Sequence, residues 1–181
     1  MLILDLLSDF RFADGPSVYR AALPVARRIA ALKRRARRAR VPVIYVNDNF
    51  GRWRSNLAEI VQHCSTANPC GEAMMNLLGP ADDDYCVLKP RHSGFYATAL
   101  DTLLEYIGAS RLVITGVSSN QCVLFTANDA YVREYELSIP RDCIAAPSHK
   151  ETRFALQYFR SVLNADLRPS PRIRFPSHRH R

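Results

Sequence analysis

The feature that most constrains the fold is a set of short, continuously apolar segments separated by helical patterns. Ile3, Leu4, Leu6 and Leu7 flank Asp5 near the start of the chain, and Val41 to Val46 (VPVIYV), Tyr85 to Leu88 (YCVL) and Leu112 to Thr115 (LVIT) follow it. None alternates apolar with polar residues, as a strand with one wet face must. Each therefore predicts a strand buried on both faces, the condition of a parallel sheet covered by helices. Between them, Val25, Ile29, Leu32, Ala36 and Ala39 recur at steps of three and four. That spacing draws an apolar stripe along a helix, with Arg27, Arg28, Arg34, Arg35 and Arg38 largely off it. Tyr96 to Ile107, Gln121 to Tyr135 and His149 to Leu163 also read as helices, the last with Phe154, Tyr158 and Val162 repeating every four residues. Asn47 to Asp84 has weaker periodicity and predicts loop with one helix near Ala73 to Leu78. Strand and helix in alternation predict an α/β domain with right-handed crossovers.

A chain of 181 residues fits one such domain. Its 48% hydrophobic and 23% charged residues exclude wholesale disorder. No stretch approaches the roughly 18 apolar residues of a membrane span, and Asp5 interrupts the N-terminal run before it forms a signal-peptide core, so a cytoplasmic location is expected. The five cysteines cannot all pair and form no C-x2-C couple, and are expected to be reduced. A net charge of +8 invites a nucleic-acid reading, but the charge is local. Arg27 to Arg40 and Arg168 to Arg181 together hold 13 of the 25 Lys and Arg residues and no acid, leaving 12 against all 17 Asp and Glu elsewhere. The last segment, with three prolines and five arginines, predicts a basic tail over 168–181 outside a domain of 1–167.

Seven glycines form neither G-x-G-x-x-G nor G-x-x-x-x-G-K-[ST], which argues against a dinucleotide or P-loop enzyme. Open α/β sheets place ligands at the C-terminal ends of their strands, and three such ends carry reactive groups. Asp5 lies within an apolar run, and a buried carboxylate needs a cation or hydrogen bonds. Lys89, closing the strand in V-L-K-P-R-H-S-G-F, is the candidate partner. A structural ion pair is the plainer alternative. Cys122, in T-G-V-S-S-N-Q-C-V, falls near a helix start, where free N–H groups lower a thiol pKa and offer donors to an oxyanion. Its alternative is inert packing. Asn47, Asp48, Asn49 and Trp53 follow the second strand and combine polar groups with a stacking surface, as a substrate pocket or as a turn built by Asn and Asp. Phe10 and Phe95 are further pocket candidates, with a core position as the alternative.

The stretches L-I-L-D-L-L-S-D-F, V-L-K-P-R-H-S-G-F and L-V-I-T-G-V-S-S-N-Q-C-V resemble, in order, the catalytic stretches of the isochorismatase-like cysteine hydrolases. The resemblance spans Met1 to Leu167. It implies a three-layer, Rossmann-like sandwich with a six-stranded parallel sheet and an Asp5-Lys89-Cys122 triad. It further implies a cis peptide between Val117 and Ser118, an oxyanion hole from the Ser118 and Cys122 amides, and a homo-oligomer. Relatives that cleave the vinyl ether of isochorismate typically lack a nucleophilic thiol, so Cys122 favours hydrolysis of a carbon–nitrogen bond, with no cofactor. Nicotinamidases of the family bind metal through an Asp-x-His pair after the second strand. Here Phe50 stands two residues after Asp48, and His63, His92, His149, His178 and His180 are scattered, so no catalytic metal is expected. The segment Y-V-N-D-N-F-G-R-W resembles a bacterial branch of these hydrolases instead. Two alternatives stand beside the cysteine amidase: a vinyl-ether hydrolase in which Cys122 is incidental, and a non-catalytic protein whose basic segments hold nucleic acid.

Overall fold

The computed structural model describes residues 1–51 and 56–175. Its strands are β1 (Leu2–Leu4), β2 (Ile44–Asp48), β3 (Tyr85–Lys89), β4 (Arg111–Val117), β5 (Glu136–Ser138) and β6 (Ile144–Ala145). They form one parallel sheet in the order β3-β2-β1-β4-β5, with β6 paired to the end of β4. The helices are α1 (Gly15–Arg38), α2 (Leu57–Ala67), α3 (Pro69–Leu78), α4 (Leu100–Tyr106), α5 (Cys122–Val132) and α6 (His149–Ser161). Among the described residues, no helix is long and apolar enough to cross a membrane.

The continuous apolar strands are explained by two cores, one on each face of the sheet. Side chains alternate faces along a strand. Ile3 and Tyr45 therefore join Ala22, Ile29 and Leu32 of α1 and Met74 of α3, whereas Leu2, Leu4, Ile44 and Val46 join Leu104 of α4, Val123 and Ala127 of α5, and Phe159 of α6. The central strand β1 lies between β2 and β4. Its approach to β4 depends on Gly116, which has φ +119°, and a Cβ there would fall 2.1 Å from the Leu4 carbonyl oxygen. Only glycine permits that backbone contact.

Several elements differ from their sequence-based outlines. The first strand ends at Leu4 because Asp5 turns into the left-handed region at φ 51°. Helix α1 begins at Gly15 rather than Val25 and continues through Pro24. The segment expected to hold one helix holds two, each started by an asparagine cap: Asn56 accepts from the Glu59 amide at 3.0 Å and Asn68 from the Gly71 amide at 2.9 Å. Strands β5 and β6, of three and two residues, are too short to carry a periodicity.

Beyond Leu167, the described residues of the basic segment pack against the domain. Ile173 is 3% exposed and belongs to the core beneath α1, and Ser170 binds the Asp142 carboxylate through its amide and hydroxyl. Arg35 donates to the carbonyls of Ser170 and Ile173. One buried isoleucine and a few satisfied backbone groups are enough to dock this segment, which an average over Arg168 to Arg181 conceals. The same contacts draw on the basic run of α1. Lys33 turns inward to Asp84 at 2.6 Å and donates to the Tyr45 hydroxyl at 2.8 Å, while Arg37 pairs with Asp83 and Asp84.

Candidate active site

The ends of β1, β3 and β4 bring Asp5, Lys89 and Cys122 together. Asp5 sits one residue past β1 in a left-handed conformation that Asp and Asn tolerate better than most side chains. Its amide donates to the Val46 carbonyl at 3.1 Å, holding it to β2, and its Oδ1 accepts from the Asp48 amide at 2.7 Å. Lys89 is the last residue of β3, with a fully buried side chain. Its Nζ lies 2.9 Å from Asp5 Oδ2, 3.5 Å from Cys122 Sγ and 3.5 Å from Asp48 Oδ2. Cys122 opens α5.

A buried ammonium is tolerable only among such partners. Burial alone would lower the pKa of Lys89, but Asp5, Cys122 and Asp48 outweigh it and raise the value, so the side chain stays charged. Burial raises Asp5 above the ordinary carboxylate range, against the opposing influence of Lys89 and of hydrogen bonds from Cys122 and the Asp48 amide. Cys122 departs from the lowered thiol expected of a helix start. Burial, and then the Asp5 carboxylate, push its pKa up, with Lys89 pulling the other way. The resting sulfur is therefore a thiol. Asp5 Oδ2 faces Nζ at 2.9 Å as an ion pair.

The turn between β4 and α5 completes this geometry. The Val117–Ser118 peptide is cis. The Ser118 carbonyl accepts from the Gln121 and Val123 amides at 3.0 and 3.2 Å, and the Ser119 amide is anchored to the Ala145 carbonyl at 2.7 Å. Asn120 ties the turn to Glu151 of α6 at 3.1 Å. Among the described residues, neither the Ser118 nor the Cys122 amide has an acceptor. Two donors thus remain free beside the sulfur's own backbone.

The candidate pocket residues divide. Asp48 faces Lys89, and its Oδ1 accepts from the Phe50 amide at 2.6 Å. Asn47 is 1% exposed and clamps Leu7, accepting from its amide at 3.1 Å and donating to its carbonyl at 3.0 Å. It braces the loop after β1 rather than lining a pocket, because its amide group is consumed by that backbone. Asn49 donates its amide to the Lys89 carbonyl at 3.0 Å and accepts from Gly51, making the turn that the Asn and Asp pattern also allowed. Phe10 packs edge-on against Tyr19 in the core beneath α1, and Phe95 lies in the opposite core with the Arg133 guanidinium 4.6 Å from its ring centre. Trp53 lies outside the described residues.

Asn49 also lines a neighbouring cleft of about 340 Å³ with Asp9, Phe50, Ile60 and His63 among others, and of these five the sequence pointed only to Asn49. His63 Nε2 lies 2.9 Å from Asp9 Oδ2. Despite partial burial, Asp9 is held below the usual carboxylate range by the Arg11 amide and His63. The signal that would have found this pair is the capped start of α2 at Asn56, which places His63 on a helix. No three His, Cys, Asp or Glu side chains are grouped to hold a metal ion among the described residues. Asp48 is committed to Lys89 and the Phe50 amide, and Phe50 offers no donor side chain, so the nicotinamidase ligand set does not fit here.

Comparison with known proteins places the chain by family and fold. The family model for the isochorismatase domain matches residues 1–166. The uncharacterized isochorismatase family protein YaaI of Bacillus subtilis is 40% identical over 173 residues, covering 96% of this chain and 94% of that protein. Ureidoacrylate amidohydrolase RutB of Methylobacterium radiotolerans is 33% identical over 132 residues, 62% of this chain but only 51% of the relative. Among solved structures, N-carbamoylsarcosine amidase of Thermoplasma acidophilum superposes with a TM-score of 0.73 at 26% identity, covering 96% of this chain and 97% of that one. With the parallel sheet, the extent of the match and the full-length relatives in agreement, the chain belongs to the isochorismatase family of hydrolases.

Proposed function

We propose that this hydrolase cleaves a carbon–nitrogen bond of a small amide, ureide or carbamoyl compound through a thioester on Cys122. The observation that carries the reading is the fully buried ammonium of Lys89, 2.9 Å from Asp5 and 3.5 Å from Cys122. Asp5 takes the thiol proton as sulfur attacks the carbonyl carbon. Burial raises both groups, so a negative charge on either is disfavoured in the site unless a cation accompanies it. Lys89 remains charged and balances whichever of the two carries the negative charge. The tetrahedral oxyanion is received by the Ser118 and Cys122 amides, donors of a kind worth roughly 3 to 4 kcal/mol each. Asp5 returns the proton to the leaving nitrogen, which departs as ammonia or an amine. Water, deprotonated by the same carboxylate, then opens the thioester and restores the thiol. The sum is amide plus water to acid plus amine.

The names of two relatives, a ureidoacrylate amidohydrolase and an N-carbamoylsarcosine amidase, support carbamoyl and ureido compounds as the first substrates to test. A panel of these and of simple primary amides, assayed for ammonia release with Cys122→Ala and Cys122→Ser as controls, tests the reading. Ammonia release lost in both variants, with a Cys122 acyl adduct seen by intact-mass spectrometry, is the expected result. Unchanged release in Cys122→Ala would overturn the cysteine mechanism.

A further inference from the structure

We propose that Thr126, together with the Ser93–Asp129 pair, positions Lys89 against Cys122; this rests on the roles given to those two residues above. The ammonium of Lys89 sits at the end of a long side chain, and its 3.5 Å contact with Sγ depends on how the segment after β3 is held against α5. Three consecutive residues of that segment are fastened to α5. The His92 ring stacks on Phe125 with centroids 5.4 Å apart. Ser93 donates a short hydrogen bond to Asp129. The Gly94 amide donates to Thr126 Oγ1 at 2.9 Å.

Thr126 follows Cys122 by four residues, so both lie on one face of the helix. It is fully buried, and its hydroxyl is the acceptor that satisfies the Gly94 amide. A Cβ on Gly94 would lie 2.8 Å from Val46 Cγ1 and 3.4 Å from Thr126 Cγ2, so the segment is wedged between β2 and α5. The clamp therefore fixes the lysine strand and the cysteine helix to each other within a few residues of the site. Loosening it lengthens the Nζ to Sγ distance and weakens the stabilisation of the thiolate.

The test is the pH–rate profile of Cys122 alkylation by iodoacetamide, read by peptide mass spectrometry on the intact folded chain, with thermal unfolding measured alongside. Thr126→Val keeps the shape and deletes the acceptor. Its profile is expected to move to higher pH, slowing labelling about three- to tenfold at a fixed pH below the midpoint, where a full pKa unit is worth tenfold. Thr126→Ser should restore the wild-type profile, and Ser93→Ala should shift it in the same direction as Thr126→Val. A folded Thr126→Val whose profile superimposes on wild type overturns the proposal, whatever its thermal stability. If Thr126→Val does not fold, an unshifted profile in Ser93→Ala overturns it. Labelling needs no substrate, so the outcome is separable from the proposed reaction: a shifted profile sustains the positioning role even if no amide is cleaved. An unshifted one removes it even where Cys122-dependent cleavage is found.

Discussion

Replacing Lys89 with methionine keeps most of the side-chain bulk and removes the one charge that favours the Cys122 thiolate. At 3.5 Å and an effective dielectric constant of about 20, the attraction between ammonium and thiolate is roughly 5 kcal/mol. Part of this is recovered in the variant, because Asp5, already raised by burial, takes up a proton once its cation is gone and ceases to oppose the thiolate. If about half is recovered, the remaining loss of roughly 2.5 kcal/mol raises the thiol by about two pKa units, a hundredfold smaller thiolate fraction at fixed pH. Iodoacetamide labelling of Cys122 in Lys89→Met should therefore be about a hundredfold slower than in wild type across neutral to mildly alkaline pH. Asp5→Asn should act oppositely, since it removes the carboxylate that raises the thiol and leaves Lys89 in place. It should speed labelling while abolishing turnover. Rates are to be measured by peptide mass spectrometry with denatured protein as reference. Labelling in Lys89→Met as fast as in wild type, or slower labelling in Asp5→Asn, would refute the electrostatic account of the site.

Four further outcomes are expected. The proposed base works only as a carboxylate, and burial raises Asp5 above its ordinary value of 3.8, so kcat/KM should fall with decreasing pH along a limb whose midpoint lies above that value; a pH–rate profile checks it. Incubation with a chelator should leave activity unchanged, and stoichiometric metal whose removal abolishes turnover would contradict this. Gly116→Ala forces a Cβ onto the Leu4 carbonyl at φ +119° and should destabilise the fold by about 2 to 4 kcal/mol in urea unfolding. Ile173→Ala should lose about 2 to 4 kcal/mol in the same assay if the C-terminal segment packs as part of the domain, and a change under half a kcal/mol would contradict that packing.

Much of the architecture could be read without coordinates, because a strand covered on both faces has no wet side and must be apolar throughout. That rule located four of the six strands, and Asp5 in the apolar run around the first of them called for a nearby cation, which Lys89 supplies at 2.9 Å. The same local reasoning failed where through-space sums decide. A helix start favours a thiolate, yet burial and a carboxylate from β1, more than a hundred residues away in sequence, reverse the direction for Cys122. Asn47 carries the composition of a pocket residue, but the loop it faces consumes its amide. Lys33 belongs by composition to a solvated basic face and is drawn inward by Asp84 and Tyr45. Ile173 is one apolar residue in an arginine-rich segment, and only the groove beneath α1 gives it a place to bury. Periodicity records which face of an element is dry. What lies across from that face, and with what charge, depends on partners distant in sequence that come together only in the folded chain.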